Sequence, residues 1–424
     1  MTFRVNNIGS GHKTILANLV IQIAIVFNFL VTICPIVDYY ANWYVSMIPV
    51  IIVMLVLIQD MHCFVKAIKV LILGLILVLF QFWFTHRNVE FSSYLINGMI
   101  SWSPCLISLL CANMFDNNTQ KSLLQIALIF FIITSITTIK GLIMFPFAAR
   151  ELAGAAIGYE REKYMLLNIG GFEYIYGLVI GLPVFFWMIT NSKGLFKLLN
   201  ICTLLVCLYC IYMSAYATAL IIAIVVLALV IIDFNPRLKP YLFFSGIIFL
   251  IFARSGILSS IVEWVSTFVE SDYVADRLQQ VAFLLQGQSV DNINTNTTNE
   301  RLVLMRNAMN GFISSPLWGN NWIDWHKSVL SGHSLFLDIL SSSGILGFVI
   351  YVAIFMRIFK IIFQVRFKNV MFYVRIIWLA FIAVTVMNPS SFSIIYLIIF
   401  TFASMINNIN HNTKMHTCPV KISY

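Results

Sequence analysis

The chain has 424 residues, of which 60% are hydrophobic and only 10% charged, with a formal net charge of +9 and a mean hydropathy of +0.92. A soluble globular domain carries about 25% charged residues, so the composition excludes that class and implies an all-α polytopic membrane protein. Most of the eight cysteines lie in apolar runs, where a thiol behaves as a small hydrophobe. Cys207-x-x-Cys210 falls inside an uninterrupted apolar run with no histidine or partner pair, so neither a redox pair, a zinc site nor a disulfide framework is expected.

Runs of about 20 apolar residues cross a bilayer as helices, because each backbone group must find its partner within the segment. Twelve spans are expected, near Ile15–Val37, Tyr44–Ile58, Val70–Phe84, Phe91–Ala112, Leu123–Ile139, Phe172–Thr190, Leu198–Met213, Ala217–Ile232, Tyr241–Phe252, Gly344–Ile362, Val370–Met387 and Phe392–Ile406. No small-residue cleavage site follows the first run, so it reads as an uncleaved span. Most of the 26 Lys and Arg, including the dense run Arg357–Lys368, fall on one side if both termini are cytoplasmic. The chain then divides into spans one to nine (1–252, with an external loop 140–171), a large external loop (253–343), and spans ten to twelve with a cytoplasmic tail (344–424).

Apart from Arg87, the basic residues left outside gather in or beside the two long loops. The first holds Lys140, Arg150, Arg161 and Lys163; the second holds Arg254, Arg277, Arg301, Arg306 and Lys327. Long loops are exempt from the charge rule, and external arginines beside a membrane suit an anionic ligand presented from lipid. Within the second loop, Ile257, Leu258, Ile261, Val265 and Phe268 recur at helical spacing around Trp264, as in an interfacial helix. Polar Gln286–Asn299 reads as a mobile loop.

The candidate chemistry lies in Asn299–Gly347. Apolar Leu335, Phe336, Ile339 and Leu340 predict a short helix beginning at His333. A helix N-terminus favours neutral imidazole, which accepts a proton, so His333 is either a general base or a structural histidine bonded to a neighbouring loop. Arg301 opens an R-x-x-x-M segment on an expected helix, with Arg306 near the following turn. Guanidinium groups bind phosphate bidentately; the alternative is a solvated face. Ser315–Asn321 is a turn whose glycine and asparagines, Asn320 among them, are able to approach a sugar, although turn-making is the simpler role. There is no Walker-type loop, D-x-D pair or H-E-x-x-H. Glu160-Arg161-Glu162 reads as solvated charge, and few ionisable residues fall in mid-membrane, which disfavours transport.

His333-Ser334, nine residues, then Gly344-x-x-Gly347 resembles the signature of the O-antigen polymerase and O-antigen ligase family. Arg301-Leu302-Val303-Leu304-Met305 resembles the family's upstream R-x-x-x-L motif, with Met in the last place. The twelve-span layout, with its large loop between spans nine and ten, is also similar. Where family members often carry an arginine at the start of the eighth span, this chain has Tyr216. The resemblance implies a metal-independent, cofactor-free glycosyltransferase of the bacterial inner membrane. Its partners would be an undecaprenyl diphosphate-linked glycan, membrane lipid and a chain-length regulator protein, with no nucleic acid. The glycan would be transferred to an acceptor sugar at the periplasmic face. His333 would serve as base; Arg301 and Arg150, then Arg306 and Arg254, would hold the diphosphate; Ser334, Asn320 and Tyr216 would position the acceptor or the loops. A polymerase joining repeat units, a ligase transferring polymer to lipid A-core, and a flippase of the same lipid-linked units remain open, with the polymerase preferred because of Tyr216.

Overall fold

The computed structural model describes residues 11–41, 43–85, 90–153, 158–234, 296–320, 334–364, 370–388 and 393–417, with positions 260, 263–264, 266–267, 330 and 332. Among the described residues the fold is all-helical, with no strand. Seven helices are long and apolar enough to cross a bilayer, as expected of a membrane protein: Met61–Phe84, Phe91–Met114, Asn117–Met144, Phe172–Asn191, Gly194–Met213, Leu335–Phe363 and Ser393–Asn410. Four shorter apolar helices, Asn18–Ile33, Tyr44–Leu57, Thr218–Ile232 and Phe372–Met387, stand beside them. Each corresponds to one of the twelve expected spans. The ninth, Tyr241–Phe252, lies outside the described residues, as does most of the stretch around Trp264.

The early chain forms α1 (Gly11–Ile33), α2 (Pro35–Tyr40), α3 (Trp43–Leu57) and α4 (Met61–Thr85). The outer face of α3 exposes Ile48, Ile51 and Leu55 at helical spacing, a stripe that lipid would cover. The expected fourth span is two helices, α5 (Phe91–Ser101) and α6 (Ser103–Met114). Pro104 lies in the first turn of α6, where its missing N–H costs nothing but its ring prevents α5 from running through. Trp102 at the break is buried and stacks on Tyr396, with ring centroids 4.6 Å apart.

Next come α7 (Asn117–Met144), α8 (Ala148–Glu151), α9 (Tyr159–Leu166), α10 (Phe172–Asn191), α11 (Gly194–Met213) and α12 (Ala217–Phe234). Because α7 continues to Met144, Lys140 belongs to its final turns rather than to the loop assigned from 140 onward. The centre of the bundle is α10, 78% buried, against 33% for α11 at its periphery. It packs on the final helix, α16, which begins as Ser393–Tyr396, widens to a π-helical stretch Leu397–Phe402 and continues as Ala403–Thr417. Gly177 lets the two helices approach: a Cβ there would sit 3.1 Å from Ile394. The widened turn is pinned from α6, where Ser108 Oγ donates to the Phe400 carbonyl (3.2 Å) and the Pro104 carbonyl accepts from Thr401 Oγ1 (2.6 Å).

The loop entering α10 is fixed by Asn168, which adopts a left-handed φ of 54°. Its Oδ1 accepts from the Ile36 N–H (3.2 Å), its Nδ2 donates to Thr137 Oγ1 (3.0 Å), and its carbonyl accepts from Thr137 (2.9 Å). Thr138 Oγ1 accepts from the Gly170 N–H (2.7 Å). One side chain thus ties α2, α7 and the start of α10 together. Asn168→Ala, losing side-chain hydrogen bonds to Ile36, Thr137 and Thr134 at about 1 kcal/mol each and gaining left-handed strain of about 1 kcal/mol, should cost about 4 kcal/mol in thermal or denaturant unfolding of the purified protein. Asn168→Gly should recover the strain portion; equal loss in both variants would show that the backbone conformation contributes nothing.

The later chain forms α13 (Asn296–Ser314), α14 (Leu335–Phe363) and α15 (Phe372–Met387). The polar stretch read as a loop to Asn299 is therefore already helical from Asn296, and Arg306 lies inside α13 rather than near its following turn. The helix after the histidine begins at Leu335, not at His333: Ser334 is its N-cap, with its buried hydroxyl accepting from the Leu337 N–H (3.2 Å). At Gly344, φ 66° and ψ −169°, α14 kinks into two segments. The kink frees the N–H groups of Ile345 and Leu346, which donate to the Pro316 (2.8 Å) and Leu317 (3.3 Å) carbonyls of the turn after α13. The contact is backbone against backbone. A Cβ at Gly344 would lie 2.4 Å from the Leu317 carbonyl, and one at Gly319 would lie 2.3 Å from the Ser342 carbonyl carbon.

Candidate functional site

The helix ends at one end of the bundle surround a cavity of about 500 Å³. It collects the C-terminal part of α1, Pro35 and Asp38 of α2, the α5–α6 break, Arg161 and Met165 of α9, the start of α10, the end of α15 and the start of α16. Such breaks and helix ends bring polar groups to a place that apolar spans would otherwise fill. Gly332, one residue before His333, also lines this space.

Three charged residues from separate parts of the chain face the cavity: Asp38 of α2, Arg161 of α9 and Glu173 in the first turn of α10. Asp38 and Glu173 act on one another electrostatically, and Arg161 acts on both. Asp38 keeps accessible surface, but that surface opens into the cavity. The surrounding protein desolvates its carboxyl and raises it to about 6, with the Arg161 charge opposing the rise. Packing of α2 on α9 holds the arrangement, and Tyr39 on α2 hydrogen-bonds Glu162 on α9, which raises the Tyr39 hydroxyl above its usual value.

Deeper in the cavity lie Asn28 and Asn388, only 4% and 2% exposed. Asn28 Nδ2 donates to Ser103 Oγ (3.3 Å), but Asn28 Oδ1 and Asn388 Nδ2 have no hydrogen-bond partner among the described residues. A buried polar atom left unpaired costs about 1–3 kcal/mol, and both atoms are covered by the surrounding protein rather than open to the cavity.

Among the described residues, none of those singled out from sequence lines this space. His333 and Arg254 lie outside the described residues, as does the side chain of Arg301. The R-x-x-x-M segment is on α13 as expected. Positions 301 and 306 lie about 140° apart around that helix, so they do not share a face. Arg306 is exposed, while Ala308 is buried on the side packed against α14. Arg150 is half-buried on α8, two residues before Leu152, which lines the cavity. Tyr216 is buried, and its hydroxyl donates to the Ala149 carbonyl (2.8 Å) while its ring packs edge-on against Phe172 (5.7 Å). It therefore fastens the Arg150 segment to the start of α10. Asn320 Oδ1 accepts from Ser314 Oγ (3.0 Å), closing the end of α13, and Ser334 caps α14.

Asp38, Arg161, Glu173, Asn28 and Asn388 were not selected from sequence. Arg161 read as one member of a solvated charge run, whereas Arg161 faces the cavity and Glu162 is held by Tyr39. The available signal was the occurrence of Asp38 and Glu173 at the margins of apolar spans, where a charge must face water, a pore or a partner.

Compared with known proteins, the chain matches no family model, no curated protein and no solved structure.

Proposed function

We propose that this protein is a polysaccharide polymerase of the bacterial inner membrane, transferring a glycan from an undecaprenyl diphosphate carrier to the next lipid-linked repeat unit at the periplasmic face. In this reading the chain spans the membrane twelve times, both termini are cytoplasmic, and residues 253–343 form a periplasmic loop. The observation that carries it is the polar cavity at one end of an otherwise apolar bundle, lined by Gly332 beside His333 and by Arg161 of the other long loop.

The chemistry is an attack by an acceptor hydroxyl on the anomeric carbon of the donor sugar. The new glycosidic bond forms as the bond to the carrier diphosphate breaks. His333 takes the hydroxyl proton. Fixed guanidinium charge from Arg301 and Arg150, with Arg306 and Arg254 behind them, stabilises the departing diphosphate. Tyr216, already occupied in holding the Arg150 segment, supports the polymerase over the ligase because it leaves no arginine at the start of α12.

Deletion of the gene tests the assignment through the cell's surface glycan. Single repeat units in place of long chains are expected. Accumulated carrier-linked polymer with uncapped lipid A-core would assign the ligase activity instead. An unchanged chain-length distribution would reject glycan transfer altogether.

A further inference from the structure

The polar cavity lies at the start of α10, and a second, smaller cavity of about 260 Å³ lies at the end of the same helix. The 20 residues of α10 rise about 30 Å, the thickness of the hydrocarbon core, so the two cavities belong to opposite ends of the bundle. Three helices wall the second one. Lys121 and Gln125 come from α7, Trp187 from α10, Ser192 and Lys193 from the junction after it, and Phe196 from the first turn of α11. Its chemistry is one-sided, for two lysines line it and no carboxylate does. Ser192 Oγ accepts from Nδ2 of buried Asn200 (2.9 Å), which leaves the hydroxyl hydrogen for donation. α11 begins here without a side-chain cap, so its positive end adds to the lysines. That balance suits an anion and not a cation. The remaining wall is unlike that of a site for a small soluble anion, because Trp187 and Phe196 are apolar. Phe196 is 55% exposed and stands between the cavity and an outer face of α11, where Leu195, Leu198, Leu205, Tyr209 and Tyr212 are exposed at helical spacing. Lipid would cover that face.

We propose that this crevice between α7, α10 and α11 binds the headgroup phosphate of a phospholipid of net negative charge, whose acyl chains lie along the exposed face of α11. Lys121 and Lys193 pair with the phosphate, Ser192 donates to it, and Phe196 separates head from chain. A headgroup with its own ammonium would bring that charge up to two lysines, so the crevice prefers anionic over zwitterionic lipid. In the twelve-span reading this end is the cytoplasmic one, and basic pockets between spans on that side are a recurrent setting for anionic headgroups. The site is independent of the chemistry proposed at the opposite face.

The test titrates purified full-length protein, stripped of lipid in detergent, with phosphatidylglycerol, with phosphatidylcholine of the same acyl chains, and with inorganic phosphate. Native mass spectrometry counts the bound lipid. The wild type is expected to hold one phosphatidylglycerol at least about tenfold more tightly than phosphatidylcholine. Lys121→Gln combined with Lys193→Gln should abolish that preference. Gln125→Phe keeps both lysines but fills the crevice, and should weaken phosphatidylglycerol about tenfold. Lys197→Gln, on α11 but outside the crevice, should change nothing. Size-exclusion profile and thermal unfolding verify folding of each variant. Equal affinity of the wild type for the two lipids would overturn the site, as would a wild-type preference in the folded lysine pair variant or in folded Gln125→Phe. Equal weakening by Lys197→Gln and Lys121→Gln would assign the effect to diffuse surface charge and overturn it too. Release of the lipid by millimolar phosphate would replace the lipid with a free anion as occupant.

Discussion

Replacing His333 with alanine should lower glycan transfer by about 10²–10⁴-fold, the usual contribution of a positioned general base, while membrane insertion and thermal stability stay near those of the wild type. The expectation follows from its neighbours in the chain. Gly332 lines the polar cavity, and Ser334 is buried as the N-cap of α14, so the cap is provided by the serine and not by the histidine. Turnover of lipid-linked repeat units by reconstituted protein measures the effect; an alanine variant with wild-type turnover would remove the histidine from the chemistry.

A second large effect is expected at Gly344. Alanine there meets two penalties: a backbone of φ 66° and ψ −169°, essentially restricted to glycine and costing other residues about 1–3 kcal/mol, and a Cβ 2.4 Å from the Leu317 carbonyl. Since that neighbour is backbone, relief requires the turn after α13 to move, with overpacking costs of about 1–3 kcal/mol. Gly344→Ala should therefore lose about 3 kcal/mol or more in unfolding measurements, with reduced accumulation in the membrane. Gly319→Ala should behave similarly, because its Cβ would meet Ser342 and its φ is 75°. A stable Gly344→Ala protein would mean that the turn and the kink are not locked as described.

These glycines also explain what part of the molecule could be read from its sequence. The helix–turn–helix order of Arg301–Gly347 was legible from apolar spacing and turn residues. The use of Gly344 was not, since a glycine inside an apolar run gives no sign that another segment's carbonyls approach it. The spans were legible because each must satisfy its own backbone in lipid. The break at Trp102 was announced only by Pro104, two residues into the following helix, and was read through.

The cavity was the least legible part. Asp38 is far in sequence from Arg161 and Glu173, and the three come to one cavity where Asn168 ties α2 to α7 beside the start of α10. Neither the left-handed Asn168 nor its partners Ile36 and Thr137 form a local pattern. Glu160-Arg161-Glu162 shows the same limit. A run of alternating charge ordinarily reads as a solvated face, and only the packing of α2 against α9 turns one of its members toward a cavity. Tyr216 was legible as a departure from an arginine, but its hydrogen bond to Ala149 required the fold.

Glycan transfer from a lipid diphosphate is tested by a reconstituted reaction. Purified protein in lipid vesicles is supplied with the undecaprenyl diphosphate-linked repeat unit alone, with a chelator present, and both glycan length and free carrier diphosphate are followed. Lengthening chains, one undecaprenyl diphosphate released for each glycosidic bond formed, and a rate unaffected by the chelator are expected. Intact lipid-linked repeat units with no carrier released, under conditions where the protein is folded, would contradict it.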